Sequence, residues 1–198
     1  PSVGAAFFGG APGAPRPIFG GESVTVDIDV TNVGTQRYFS FLSMIIPTND
    51  LFIGNDDPFA IELFDSFGNF TGNRSIDITG ADIRDAGTEV NDRDVGVAFA
   101  AGQVGTAGDT ENGVVTADGF SQLGRYVGLD TAGGFTIDPD LQNVLIDFAN
   151  SPDLFNIANI SISLAPTPVP LPASGLMLLS VIGVGGIVAR RKAKRASA

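Results

Sequence analysis

The sequence predicts an all-β protein, an antiparallel sandwich or barrel, followed by a proline-rich spacer and one C-terminal helix of transmembrane type. Eight or nine short segments rich in β-branched and aromatic residues are separated by residues that favour turns. No segment before residue 171 shows a helical period over a helical length. The chain contains 15 Phe and no Trp, so phenylalanine is expected to fill most of the core.

The clearest predicted strand covers residues 22–31, where valine and isoleucine alternate with threonine and aspartate. This period of two predicts one buried face and one face in water. Residues 1–21 are rich in Gly, Ala and Pro and are expected to form an irregular lead-in. The β domain is therefore predicted to span residues 22–164.

Other segments complete the predicted set of strands. A strand buried on most of its length is expected at 37–46, and a hairpin with a longer loop is expected to join 59–64 to residues 70–71. The remaining predicted strands are 75–79, 95–100, 114–115, 135–137, 143–148 and 156–164.

Composition narrows the chemistry that this chain can perform. The sequence has no Cys and no His, which excludes disulfides, thiolate chemistry and His-based catalytic triads. Carboxylates and carbonyls remain as the good metal ligands, and they favour Ca²⁺ or Mg²⁺. Residues 1–189 carry six Arg and no Lys against 22 acidic residues, a net charge of −16. Such an acidic body is expected to repel nucleic acid, and it also keeps a protein soluble.

The C-terminal region has three parts in a fixed order. Residues 165–170 form a proline-rich spacer, residues 171–189 are apolar and uncharged, and residues 190–198 are basic. A helix of the apolar stretch would span roughly the 30 Å hydrocarbon core of a bilayer. The positive-inside rule then predicts a cytoplasmic C-terminus. The residues that determine this topology are Arg190, Arg191, Lys192, Lys194 and Arg195.

The start of the apolar stretch resembles the sorting signal called VPLPA-CTERM, a variant of PEP-CTERM. The matching residues are Val169, Pro170, Leu171, Pro172 and Ala173. The resemblance implies an exported protein whose tail lies in the inner membrane before an exosortase-type enzyme processes it. We therefore expect a protein of the cell envelope or surface, or a secreted one.

The stretch 43–58, SMIIPTNDLFIGNDDP, places an apolar segment, a turn and a second apolar segment before an acidic loop. A second notable stretch, 85–91, reads DAGTEVN. Residues 43–54 resemble the SM-[hydrophobic pair]-P-x-x-D-x-F-[hydrophobic]-G element of the spondin domain, and 85–89 resemble its DAGT-[DE] element. The two elements occur in the family's order, and the resemblance covers about residues 22 to 164.

The resemblance to spondin domains implies a β-sandwich with a divalent cation, usually calcium, at one end. The matching positions for the metal ligands are Asp50, Asp85 and Glu89. Asp85 and Glu89 bracket a turn of small residues that could direct both carboxylates to one ion, and Ca²⁺ accepts six to eight oxygens. Animal members have Asp where this chain has Glu89, and the extra methylene could shift the coordination. The alternative is that Asp50 and Asp85 bind backbone amides in turns.

These observations predict a non-enzymatic adhesion or binding module, stabilised by a divalent cation. Its expected partners are the membrane, through the C-terminal helix, the exosortase-type enzyme and an extracellular polysaccharide or matrix. A first alternative is a structural subunit that assembles through exposed strand edges. A second alternative is a hydrolase that uses paired carboxylates on glycosidic bonds.

Overall fold

The fold consists mainly of short strands in small antiparallel sheets. A computed structural model describes residues 3–6, 9 and 16–165. Within these residues the strands are β1 (Tyr38–Phe39), β2 (Leu42–Met44), β3 (Leu51–Gly54), β4 (Ile61–Glu62), β5 (Arg74–Thr79), β6 (Ile83–Asp85) and β7 (Asn156–Ile162). The α-helices are α1 (Gly119–Gln122) and α2 (Leu141–Asp147), and 3-10 helices cover Gly80–Asp82, Leu123–Tyr126 and Pro152–Leu154.

The strands pair in three sheets, all antiparallel. β1 pairs with β4, β5 pairs with β7, and β3 lies between β2 and β6. The three-stranded sheet places Leu51 opposite Asp85 and Ile53 opposite Ile83. Because β3 enters this sheet directly after Asp50, the sheet fixes where that carboxylate lies.

One hydrophobic core holds these elements together. Leu51, Ile83 and Val97 are completely buried, and Phe155 packs edge-on against both Phe120 and Phe148. The buried members of the core are Leu51, Ile53, Ile78, Ile83, Val97, Ala100, Phe120, Tyr126, Leu129 and Leu145. The segment Pro1–Leu164 forms one compact unit, and the central strand β3 anchors it.

The prediction of a strand at 22–31 is wrong. The structure assigns no strand to this segment, and no backbone group from Ser23 to Thr31 forms a hydrogen bond within the described residues. Its valines are half-buried, and Ile28 is 36% exposed. A strand needs a neighbouring strand to pair its amides and carbonyls, and none of the seven strands pairs with this segment.

The predicted buried strand at 37–46 is two short strands, and one of them is exposed. The break falls at Phe41, whose amide donates to Oδ1 of Asn55. All three residues of β2 are exposed, with Leu42 at 75%. The expectation of burial along most of this segment is therefore wrong, because β2 is an edge strand whose side chains extend away from the core cluster.

The prediction of a strand at 143–148 is also wrong, because this region belongs to helix α2. Leu141, Leu145 and Phe148 all contact the core, and their spacing of four and three residues places them on one helical face. Ile146 is 60% exposed. The run of apolar residues therefore reflects a short amphipathic helix rather than a strand.

The other predicted strands divide into two groups. Those at 75–79 and 156–164 are confirmed by β5 and β7, and the hairpin is confirmed by β4 and the bridge between Phe64 and Phe70. The segment 95–100 is a series of turns instead, because the backbone of Phe99 has a positive φ that a strand does not allow. The segments 114–115 and 135–137 are not strands either: the first is a loop that precedes an isolated bridge at Thr116, and the second contains only the isolated bridge at Thr136.

The predicted tail elements lie outside the described residues. They are the spacer beyond Ala165, the sorting motif at 169–173, the helix at 171–189 and the basic end at 190–198. Within the part of the chain that the structure describes, no helix is long and apolar enough to cross a membrane.

Candidate functional site at the Asp50 junction

The two stretches that carry the metal prediction meet at one end of the three-stranded sheet. Asp50 immediately precedes β3, and Asp85 is the last residue of β6. Leu51 lies opposite Asp85 in the antiparallel ladder, and the amide of Ala86 donates to the carbonyl of Asp50 at 3.4 Å. We call the group formed by Asp50 and residues 85–89 the Asp50 junction.

The carboxylate of Asp50 binds the turn that follows β6. Its Oδ2 accepts hydrogen bonds from the amide of Thr88 at 2.7 Å, the hydroxyl of Thr88 at 2.8 Å and the amide of Glu89 at 2.9 Å. Hydrogen bonds to a charged acceptor are stronger than neutral ones. Asp50 therefore ties together two stretches that are 38 residues apart along the chain.

The carboxylate of Asp85 is buried and shapes the same turn. Its Oδ1 accepts from the amide of Gly87 at 2.8 Å, and its Oδ2 accepts from the side-chain amide of Asn91. Gly87 has a φ of +66°, and a Cβ there would lie 2.7 Å from the carbonyl oxygen of Val114. The turn therefore requires glycine for two reasons, its backbone conformation and the close approach of a neighbouring loop.

The side chain of Glu89 faces a different part of the surface. The backbone of Glu89 bridges to Thr110, while its carboxylate lies against Gly108, where a Cβ would be 2.8 Å from Oε2. Its side chain lines a cleft together with Asn49. Only the backbone amide of Glu89 thus belongs to the hydrogen bonds that Asp50 makes.

A buried polar network lies behind the junction, and sequence reasoning did not anticipate it. The hydroxyl of Tyr126 lies 2.8 Å from Oδ1 of Asn49 and 2.9 Å from Oδ1 of Asn91, and Asn91 in turn donates to Asp85. Burial raises the pKa of Tyr126 to about 12, and the charges of Asp50 and Asp85 add to this effect. Asn49 lies in the first motif stretch and Asn91 in the second, but no sequence motif includes Tyr126.

These contacts show which carboxylate oxygens of the predicted ligands are available to a cation. Oδ2 of Asp50 and both oxygens of Asp85 already accept hydrogen bonds. Oδ1 of Asp50 is buried without a hydrogen-bond partner, so it is the one oxygen of these two carboxylates that is open to a ligand. Among residues 16–165, no three acidic side chains are grouped closely enough to hold a metal ion. In this arrangement the three predicted ligands do not form a single donor set.

The neighbouring acidic pair at 56–57 has other contacts. Oδ2 of Asp56 forms an ion pair with Arg84 at 3.0 Å, and Oδ1 of Asp57 accepts the amide of Phe59 at 2.8 Å. The first is an exposed ion pair of small energetic value, and the second is a local turn contact.

Comparison with known proteins finds no family model that matches this chain, no curated protein with a similar sequence and no solved structure with a similar fold.

Proposed function

We propose that this chain is an exported, non-enzymatic binding module that attaches to a polysaccharide or matrix at the cell surface. The observation that carries the proposal is the Asp50 junction. The two stretches that resemble spondin elements are far apart in the sequence, yet Asp50 hydrogen-bonds directly to Thr88 and Glu89. Their contact supports the view that they act as one structural unit, and with it the finer proposal of a spondin-like β-sandwich.

The contacts of the carboxylates support a binding role over hydrolysis. General acid and base catalysis needs two carboxylates that reach a substrate. Asp85 is 7% exposed and both of its oxygens are hydrogen-bonded, while Asp50 is bound to the backbone of the turn. These two carboxylates therefore stabilise the fold, and the proposed activity is recognition.

A calcium ion is the second part of the proposal, and it follows from the resemblance. The free Oδ1 of Asp50 would supply one ligand, and Asp85 would need to reorient to supply another, whereas the carboxylate of Glu89 faces the cleft beside Gly108. A bound cation would hold the turn to the sheet by charge. If it binds, millimolar Ca²⁺ raises the melting temperature of residues 1–164 through preferential binding to the folded state. An unchanged melting temperature in Ca²⁺ and in chelator would contradict this part.

The tail supports the proposal of export. The sorting motif, the apolar stretch and the basic end predict insertion into the inner membrane and processing by an exosortase-type enzyme. Replacing Pro170 and Pro172 by Ala should leave the unprocessed chain in the membrane fraction, as measured by fractionation and intact mass. Equal processing of the variant and the wild type would contradict the proposal of export.

A structural subunit is the second candidate, and one observation favours it. Strand β2 is an exposed edge, and the backbone from Ser23 to Thr31 has no hydrogen-bond partner in the described chain. Unpaired backbone of this kind can add a strand to another molecule. Sedimentation of residues 1–164 over a range of concentrations separates the candidates, because a binding module stays monomeric and a subunit forms concentration-dependent oligomers.

The central experiment measures binding and cleavage together. The chain is incubated with purified surface polysaccharides, the bound fraction is determined by co-sedimentation, and the polymer is then sized. The proposal predicts retention on at least one polymer, whose chain length stays unchanged. Shortened polymer would favour the hydrolase, and no retention on any polymer would overturn the proposed function.

A further inference from the structure

The loop around Phe99 places an aromatic side chain at the surface in a strained conformation. Phe99 has a φ of +62°, in the left-handed region that is unfavourable for a residue with a bulky side chain. Its side chain is 51% exposed, so hydrophobic burial does not account for this conformation. Strained residues of this kind cluster at ligand-binding sites.

Hydrogen bonds on both sides hold the strained residue in place. The amide of Ala98 donates to the carbonyl of Thr48 at 3.1 Å, and the amide of Ala132 donates to the carbonyl of Phe99 at 2.8 Å. The amide of Ala101 also donates to the carbonyl of Asp130 at 2.8 Å. These hydrogen bonds therefore hold the backbone of Phe99 in its left-handed conformation.

Phe99 forms one wall of a surface cleft of about 320 Å³, a size within the range of small-ligand sites. Val104, which is 68% exposed, adds a second apolar surface. The side chain of Gln103 is fixed, since it accepts from the amide of Val97 at 2.9 Å and donates to the carbonyl of Arg93 at 2.8 Å. The cleft thus has a rigid frame and an apolar, aromatic surface.

The carboxylate of Glu89 supplies a negative charge to the same cleft. Glu89 lines the cleft, and no residue within 16–165 donates a hydrogen bond to its side chain or pairs with it as an ion. Thr106, which is exposed, also lines the cleft. A ligand that satisfies these groups needs a positive charge, hydrogen-bonding hydroxyls and an apolar face.

We propose that this cleft binds a protonated hexosamine unit of a surface polysaccharide. The C–H face of the sugar ring would stack on Phe99, the ammonium group would pair with Glu89, and a ring hydroxyl would reach Thr106. The net charge of −11 attracts such a cationic polymer, whereas Glu89 would repel an acidic sugar. This inference rests on the proposed function and specifies which polymer the module recognises.

The test uses three linear tetrasaccharides with the same linkage, made of glucosamine, N-acetylglucosamine or glucose. Binding to the full chain in detergent micelles is measured by titration calorimetry. The wild type should bind the glucosamine oligomer about tenfold more tightly than the other two, as expected for one charge-assisted hydrogen bond between the ammonium group and Glu89. Equal binding of all three would overturn the assignment of a hexosamine.

A matched pair of variants distinguishes the effect of the charge at the cleft on binding from the effect of the overall surface charge. Glu89→Gln should abolish the preference for glucosamine. Asp153→Asn removes an equal charge from an exposed position and should retain the preference. If both variants lose it equally, the attraction is non-specific and the cleft is not the site.

The contribution of the aromatic ring is tested by measuring both the affinity and the melting temperature of one variant. Phe99→Gly should weaken binding of the glucosamine oligomer about tenfold while its melting temperature does not fall, because glycine accepts a positive φ. Phe67→Ala removes another exposed ring, 88% accessible, and should bind normally. Normal binding by Phe99→Gly, or by Glu89→Gln with the melting temperature of the wild type, would overturn the inference. Should the wild type bind surface polymers but none of these oligomers, this inference fails and the proposed function stands.

Discussion

Residues 22–31 and strand β3 differ in how their backbones are hydrogen-bonded. The first segment alternates regularly over ten residues, yet no strand pairs with it in the described chain. The second is four residues long and pairs on both edges, with Leu51 fully buried. The difference shows that a neighbouring strand on each side, rather than regular alternation, determines which segment forms the centre of this fold. Side-chain truncation in both regions and amide hydrogen exchange test this contrast.

Isoleucine truncation should give the largest difference between the two regions. Ile83 in β6 is completely buried and Ile28 is 36% exposed. Ile83→Ala leaves a cavity in the core and should lower the free energy of unfolding by about 2 to 5 kcal/mol. Ile28→Ala should lower it by less than about 1 kcal/mol. Urea unfolding of residues 1–164 measures both, and equal losses would mean that 22–31 is packed as firmly as the sheet.

Removing the carboxylate of Asp50 should give the next largest effect. Asp50→Ala leaves the amides of Thr88 and Glu89 without their acceptor, and we expect a loss of about 2 kcal/mol. Asp153→Ala changes an exposed carboxylate and should stay within about 0.5 kcal/mol of the wild type. A loss below about 0.5 kcal/mol for Asp50→Ala would show that its contacts do not stabilise the turn.

The smallest expected effect concerns Tyr126, behind the junction. Tyr126→Phe removes the hydroxyl that contacts Asn49 and Asn91 and should cost about 1 kcal/mol near neutral pH.

The pH dependence of the wild type gives a second signature of Tyr126. In the unfolded chain the phenol loses its proton near pH 10, whereas the folded pKa is raised to about 12. The stability that this group contributes is therefore complete below about pH 10 and is lost as the pH rises towards about 12. Tyr126→Phe should lose less stability than the wild type over this interval. Parallel pH profiles for the two chains would contradict the burial of this hydroxyl.

The resemblance to spondin elements predicted that Asp50 and Asp85 lie at one end of the sheet, as ligands of a cation. The pairing of β3 with β6 brings them to one end, and both carboxylates accept hydrogen bonds from the turn. The network behind the junction was not predicted. Tyr126 lies in a short 3-10 helix, and its contact with Asn49 depends on how distant loops pack. Such long-range packing leaves no local pattern in a single sequence.

Reliance on local sequence pattern also explains two errors in the predicted strands. The run at 143–148 was interpreted by its β-forming residues, although Leu141, Leu145 and Phe148 have helical spacing. The segment 22–31 has the right pattern for a strand, but no strand of the described residues pairs with it. Amino-acid preference describes a single segment, whereas pairing is a property of two.

Amide hydrogen exchange compares residues 22–31 with the Asp50 junction, which fixes the start of β3, in one experiment. The amides of Thr88 and Glu89 should be protected in the wild type by Asp50, and those from Ser23 to Thr31 should exchange at rates close to an unstructured peptide. Asp50→Ala should release the two protected amides. Strong protection across 23–31, together with rapid exchange at Thr88 and Glu89, would contradict this contrast.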